Sequence, residues 1–137
     1  MIETVALAVV AMVAVFFVAL GAASLVVPAR ASRFLLGFAD SPYKHYAELA
    51  ARFLVGGAFL LAAPRASWPG AFSVFGWVLV ATTAGLLLVP WRWHHRFARW
   101  AVPEALRLLP LVGASSLVLG GLVLWALFRG PDGGPGA

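Results

Sequence analysis

Few side chains in this sequence of 137 residues could take part in chemistry, and they fall in two small groups. Glu48 and Arg52 stand four residues apart, and Glu104 and Arg107 stand three apart. On a helix either spacing puts acid and base on one face, where they can pair. Two such pairs could be half-sites that bind an anionic lipid headgroup or relay a proton. Ionisable residues inside a membrane are costly and turn toward protein, water or each other. The competing account is structural: both pairs lie near a membrane boundary and snorkel to it, Arg52 being only ~9 Å along a helix from Tyr46. His94 and His95 are adjacent, so on a helix they diverge by roughly 100° and cannot chelate one ion as an i, i+4 pair would. His45 is the only other histidine, and cysteine is absent. No haem or metal constellation is legible, and no thiolate chemistry is available. The reading at this level is no catalytic residue, no metal and no cofactor, with Glu48, Arg52, Glu104 and Arg107 as headgroup or ion-pair candidates.

The elements that must hold these residues are set by composition. The chain is 63% hydrophobic and 11% charged, with a mean hydropathy of +0.96. It lacks the polar residues to clothe a water-soluble surface. About 20 consecutive apolar residues span a hydrocarbon core, and four stretches meet that test: residues 5–27, 46–63, 71–89 and 108–128. They are too long and too evenly apolar for barrel strands, so they are read as helices. The fold expected is an all-α integral membrane four-helix bundle in one transmembrane domain covering residues 1–137. The net charge of +5 sits in short loops beside the membrane, where anionic headgroups explain it better than nucleic acid. Residues 1–4 carry no positive n-region, and the first apolar run exceeds a typical signal-peptide core. It is therefore read as a retained helix.

The hydrophobic architecture occurs twice. An apolar run into Pro28 and Arg30 is answered 62 residues later by a run into Pro90 and Arg92. Each basic stretch then leads to an apolar segment with an acid and an arginine near its start. This predicts two helical-hairpin repeats, residues 3–63 and 71–128, in parallel orientation about a pseudo-two-fold along the membrane normal. Arg30, Arg33, Lys44, Arg92, Arg96 and Arg99 fall in the two basic loops, against Arg65 and Arg129 on the other side. That asymmetry predicts a bacterial inner-membrane protein with basic loops in the cytoplasm and both termini outside. Trp91, Trp93, Trp100, Tyr43 and Tyr46 belong to the cytoplasmic level, Trp68 and Trp125 to the outer one.

Local punctuation refines this. Ala31 to Phe38 reads as a short interfacial helix, Asp40-Ser41-Pro42 as a turn and cap for the second span, and residues 94–100 as a shorter, more basic counterpart. Pro103 fits a first turn, whereas Pro110 lies deeper and bends the fourth span. The tail, residues 129–137, is expected to be disordered. Gly56, Gly57, Gly113, Gly120 and Gly121 are expected to let helices approach closely, and Thr82, Thr83, Ser115 and Ser116 to bond a carbonyl one turn back or reach a neighbouring helix.

The unit of apolar helix, Leu25-Val26-Val27-Pro28-Ala29-Arg30, and then Arg52 to Leu61 resembles small uncharacterised bacterial membrane families. It looks like a tandem of the YjeT-like two-helix family of unknown function. Through Leu36-Gly37-Phe38 and the Glu48, Arg52, Gly56, Gly57 pattern it is also similar to the four-helix family of unknown function 4345. The resemblance covers residues 21–63 well and 84–124 loosely, and it implies a fold without an assigned activity. Three functions compete. A non-catalytic scaffold, subunit or lipid-contacting protein, alone or as a homo-oligomer or part of a larger membrane complex, fits the small size and missing polar cavity. A small oligomeric transporter would want an acid deep in a helix, and Glu3, Glu48 and Glu104 all lie near ends. A lipid- or quinone-linked enzyme would have only the acid–arginine pairs and the histidines to work with.

Overall fold

Proline sets where the helices start and stop. The computed structural model describes residues 1–37 and 41–131, and every regular element among them is helical. Helix α1 (Ile2–Val26) stops two residues before Pro28, which disfavours helix in the residue preceding it. Pro28 then opens α2 (Pro28–Gly37). In α3 (Pro42–Ala62) the Ser41 hydroxyl accepts the Lys44 backbone N–H at 3.3 Å, and Pro42 occupies the first turn, where its missing N–H costs nothing. A single 3-10 turn (Ala63–Arg65) leads to α4 (Pro69–Leu88), again opened by proline. Helix α5 (Trp91–Arg107) starts after Pro90, and α6 (Leu109–Arg129) ends at Gly130, whose φ of 74° suits a residue without a side chain. Asp40, Phe38 and the tail beyond Pro131, all assigned a role in the sequence reading, lie outside the described residues.

Two prolines stand elsewhere in their helices than the sequence predicts, both for one reason. Pro110, expected to bend the fourth span, sits in the first turn of α6, whereas Pro103 lies inside α5. The break between the helices falls at Leu108, so the stretch after Pro90 is a helix of 17 residues, longer than the 10-residue α2.

Four helical stretches are long and apolar enough to cross a membrane: Ile2–Val26, Pro42–Arg65, Pro69–Leu88 and Leu109–Arg129. Large apolar residues such as Leu54, Trp77, Leu88 and Phe128 stand exposed along them. Lipid is the solvent in which such a surface is stable, because each helix satisfies its own backbone. Helix α6 packs along α1, α1 along α3, and α3 along α4; no comparable contact joins α4 to α6. The row α6–α1–α3–α4 leaves an apolar cleft of about 290 Å³, lined by residues including Phe17, Phe59, Phe75 and Leu122. The buried core, Ala6, Val10, Ala14, Ala58, Phe59, Ala62, Phe72, Val123 and Ala126, gathers at the end away from α2 and α5.

Small residues bring the backbones together at specific crossings. A Cβ on Gly113 would stand 2.7 Å from the Ser24 Cβ, and one on Gly120 would stand 2.7 Å from the Ala14 carbonyl oxygen. One on Gly56 would meet Val80 at 2.7 Å and the Gly76 carbonyl at 3.1 Å. These distances leave no room for a side chain. Gly57 and Gly121 do not belong to this set: a Cβ at either position meets nothing within 4 Å. Each is one residue out of phase with the true contact, about 100° round the helix. Across the α1–α6 contact, Ser116 Oγ donates to the Phe17 carbonyl at 2.9 Å. At the opposite end, the Ser67 N–H donates to the Ala126 carbonyl at 3.1 Å and Arg65 pairs with Glu3 at 2.8 Å, tying the α3–α4 turn to the ends of α6 and α1. Trp68 and Trp125 meet there with ring centroids 4.9 Å apart.

Candidate functional site

Most of the charged side chains among the described residues collect at the end of the bundle where α2 and α5 lie. Helix α5 has three distinct faces, because three sets of residues recur at helical spacing. Arg92, Arg96 and Arg99 form one stripe and are exposed. Trp93, Phe97 and Trp100 form a second, beside it, and are 73%, 62% and 69% exposed. The third face, with Trp91, His94, His95, Ala98, Ala101 and Val102, turns inward over the first turns of α3.

Beneath that inner face lies a cavity of about 240 Å³, bordered from α2 by Leu35 and from α3 by Ser41, His45 and Glu48. His45 is buried, with its ring centroid 4.3 Å from that of His94. Trp91 stacks on His95, centroids 5.0 Å apart and planes 25° from parallel. The Nδ1 atoms of His45 and His95 are shielded and have no hydrogen-bond partner. A polar group left so costs about 1–3 kcal/mol, an expense that invites explanation. In sequence His45 stands 49 positions before His94. Only the fold of α5 back over α3 joins them, and nothing local in the sequence signals that return. Among the described residues, no group of three or more His, Asp or Glu side chains is arranged to hold a metal ion.

The two acid–arginine pairs stand on unlike elements. Arg52 lies on α3 within a candidate span, with Nη1 3.7 Å from a Glu48 carboxylate oxygen. Its Nε donates to Thr83 Oγ1 at 3.1 Å and its Nη2 to Thr82 Oγ1 at 3.2 Å. Both threonine hydroxyls donate in turn to carbonyls one turn back, Thr82 to Val78 at 2.7 Å and Thr83 to Leu79 at 2.6 Å. Each hydroxyl thereby spends its proton on its own helix and offers its lone pairs to arginine. Arg107 ends α5 and pairs with Glu104 at 3.1 Å, both side chains well exposed at 76% and 58%. The threonines as arginine acceptors were legible only as polar residues able to reach a neighbour; that the neighbour is Arg52 follows from α3 packing on α4.

No protein-family model, no curated protein and no solved structure matches this chain. What can be said of its class comes from its own residues: a helical chain with four membrane-length apolar helices and an aromatic, basic helix at one end.

Proposed function

We propose that this chain is a non-catalytic, multi-pass protein of a bacterial inner membrane that contacts anionic lipid headgroups, as a scaffold or as a subunit of a homo-oligomer or larger membrane complex. One observation carries the reading: α5 sets an exposed stripe of arginines beside an exposed stripe of aromatics. Aromatic side chains favour the membrane interface, and guanidinium groups favour the phosphates just above it. The same element then lies flat at the headgroup level while the four long helices cross the bilayer. Six basic residues on α2, α5 and the start of α3 at that end, against Arg65 and Arg129 at the other, favour a cytoplasmic location for it.

A duplicated origin is part of this reading. Ala14 and Gly21 of α1 face Gly120 and Gly113 of α6, and Gly76 and Thr83 of α4 face Gly56 and Arg52 of α3. Positions 14 and 76, and positions 21 and 83, stand 62 residues apart, the same interval as Pro28 and Pro90.

The test is lipid retention. Native mass spectrometry of the purified chain should show bound phosphatidylglycerol or cardiolipin, and replacing Arg92, Arg96 and Arg99 together by glutamine should remove most of it. Retention unchanged in that variant would overturn the proposal, provided the variant still inserts and unfolds at the wild-type temperature.

A further inference from the structure

We propose that the cavity beneath α5 binds the head ring of a lipid-soluble quinone or quinol. This goes beyond headgroup contact and uses the inner face of α5, not the two outer stripes. The cavity holds about 240 Å³, and apolar side chains make much of its wall, among them Leu35, Ala101 and Val102. Two ring pairs border it, His45 against His94 at 4.3 Å and Trp91 against His95 at 5.0 Å. A flat guest finds aromatic surface there, which planar rings prefer.

Charge decides the class of guest. Among the described residues no lysine or arginine lines the cavity, and the carboxylate that does, Glu48, stands 3.7 Å from Arg52. A phosphate would meet the Glu48 carboxylate with no lysine or arginine among the described lining to offset its charge, and an ammonium would find that carboxylate already engaged. A neutral ring avoids both penalties. His45 is 4% exposed, and the Nδ1 atoms of His45 and His95 are shielded without a partner in the protein, so a guest that engages them does so after the imidazoles turn toward the cavity. An imidazole can donate to a quinone carbonyl or accept from a quinol hydroxyl, so one pair of histidines suits both forms of the guest. Phe97 borders the cavity and belongs to the exposed aromatic stripe, giving an apolar tail a way out toward the bilayer. The proposal concerns binding, and no electron transfer is assigned.

The experiment uses the full chain in lipid nanodiscs, with decylubiquinone as probe and quenching of its six tryptophans as readout. Wild type should quench along a saturable curve. His45→Phe, which removes the imidazole, and Ala101→Phe, which fills the cavity from a helix with no buried residue, should each weaken binding by at least about tenfold. Arg92, Arg96 and Arg99 changed to glutamine should leave the quinone curve unchanged while lowering phosphatidylglycerol retention, which separates this site from the headgroup reading. Quenching that only rises in proportion to quinone in the bilayer, or a saturable curve untouched by both cavity variants, would overturn the proposal. So would competition by phosphatidylglycerol, which would make the occupant a headgroup.

Discussion

At the scale of single residues, the deciding quantity is what surrounds each side chain. Arg52 donates to Thr82 and Thr83 and faces Glu48, whereas Arg107 has one partner and is largely exposed. Thr83 is fully buried and Thr82 exposed, and a hydrogen bond from a charged group to a buried acceptor is worth more than an exposed ion pair, which contributes about 0–1 kcal/mol. Arg52→Ala should therefore destabilise the protein by about 1–3 kcal/mol in detergent unfolding, and Arg107→Ala by less than about 0.5 kcal/mol. Equal losses would show that the threonine contacts contribute nothing. The glycines divide in the same way. Gly56→Leu would drive a side chain into Val80 and the Gly76 carbonyl, while Gly57→Leu would meet open space. The first should cost at least about 1–3 kcal/mol and the second almost nothing. A thermal shift at Gly57 as large as that at Gly56 would put the α3–α4 contact in doubt. Sequence named both glycines because both are small. The phase of α3 against α4 picks one, and a shift of one residue is invisible to composition.

At the scale of elements, α5 and the α3–α4 turn do the positioning. Helix α5 contributes no buried residue and keeps its inner face over His45 and Glu48. Its hold on the bundle is thus slight compared with that of the long helices, and amide exchange in α5 should be faster than in α1 or α6. Protection in α5 equal to that of α1 would show that it is held more firmly than its burial implies. The turn at the other end is tied differently. Ser67 is buried, its hydroxyl donates to the Gly130 carbonyl, and its N–H donates to Ala126. Ser67→Ala leaves that carbonyl unpaired and should cost about 1 kcal/mol, read as a lowered unfolding temperature. The sequence marked both places, one by its basic and aromatic residues and one by its prolines. It set the fourth span at 108–128, within one residue of α6, but read Pro110 as a bend where the structure puts it in the first turn, because Pro103 and Pro110 both fit a first turn. Choosing between them depends on which residues α1 can bury along α6.

At the scale of the whole molecule, orientation follows from charge. A reporter fused after Ala137 should be active as periplasmic alkaline phosphatase and dark as a cytoplasmic fluorophore; the reverse pattern would overturn the proposed cytoplasmic side for α5. Exchange of Arg92, Arg96 and Arg99 for neutral residues should weaken that preference. The sequence by itself determined that the chain is helical and that four helices are long and apolar enough to cross a membrane, because apolar length and proline position are local properties that need no partner. It also marked Glu48 and Arg52 as a pair, since four residues on one helix fix that proximity. Only the tertiary structure decided that α1 lies against α6 and α3 against α4, and that Arg52 reaches Thr82 and Thr83. It likewise decided that His45 meets His94 over a cavity. Those outcomes depend on the rotational phase at which two apolar helices meet, and where every face is apolar, hydrophobicity cannot choose the phase. Close approach at Gly56, Gly113 and Gly120 makes the choice, through contacts between residues far apart in the chain.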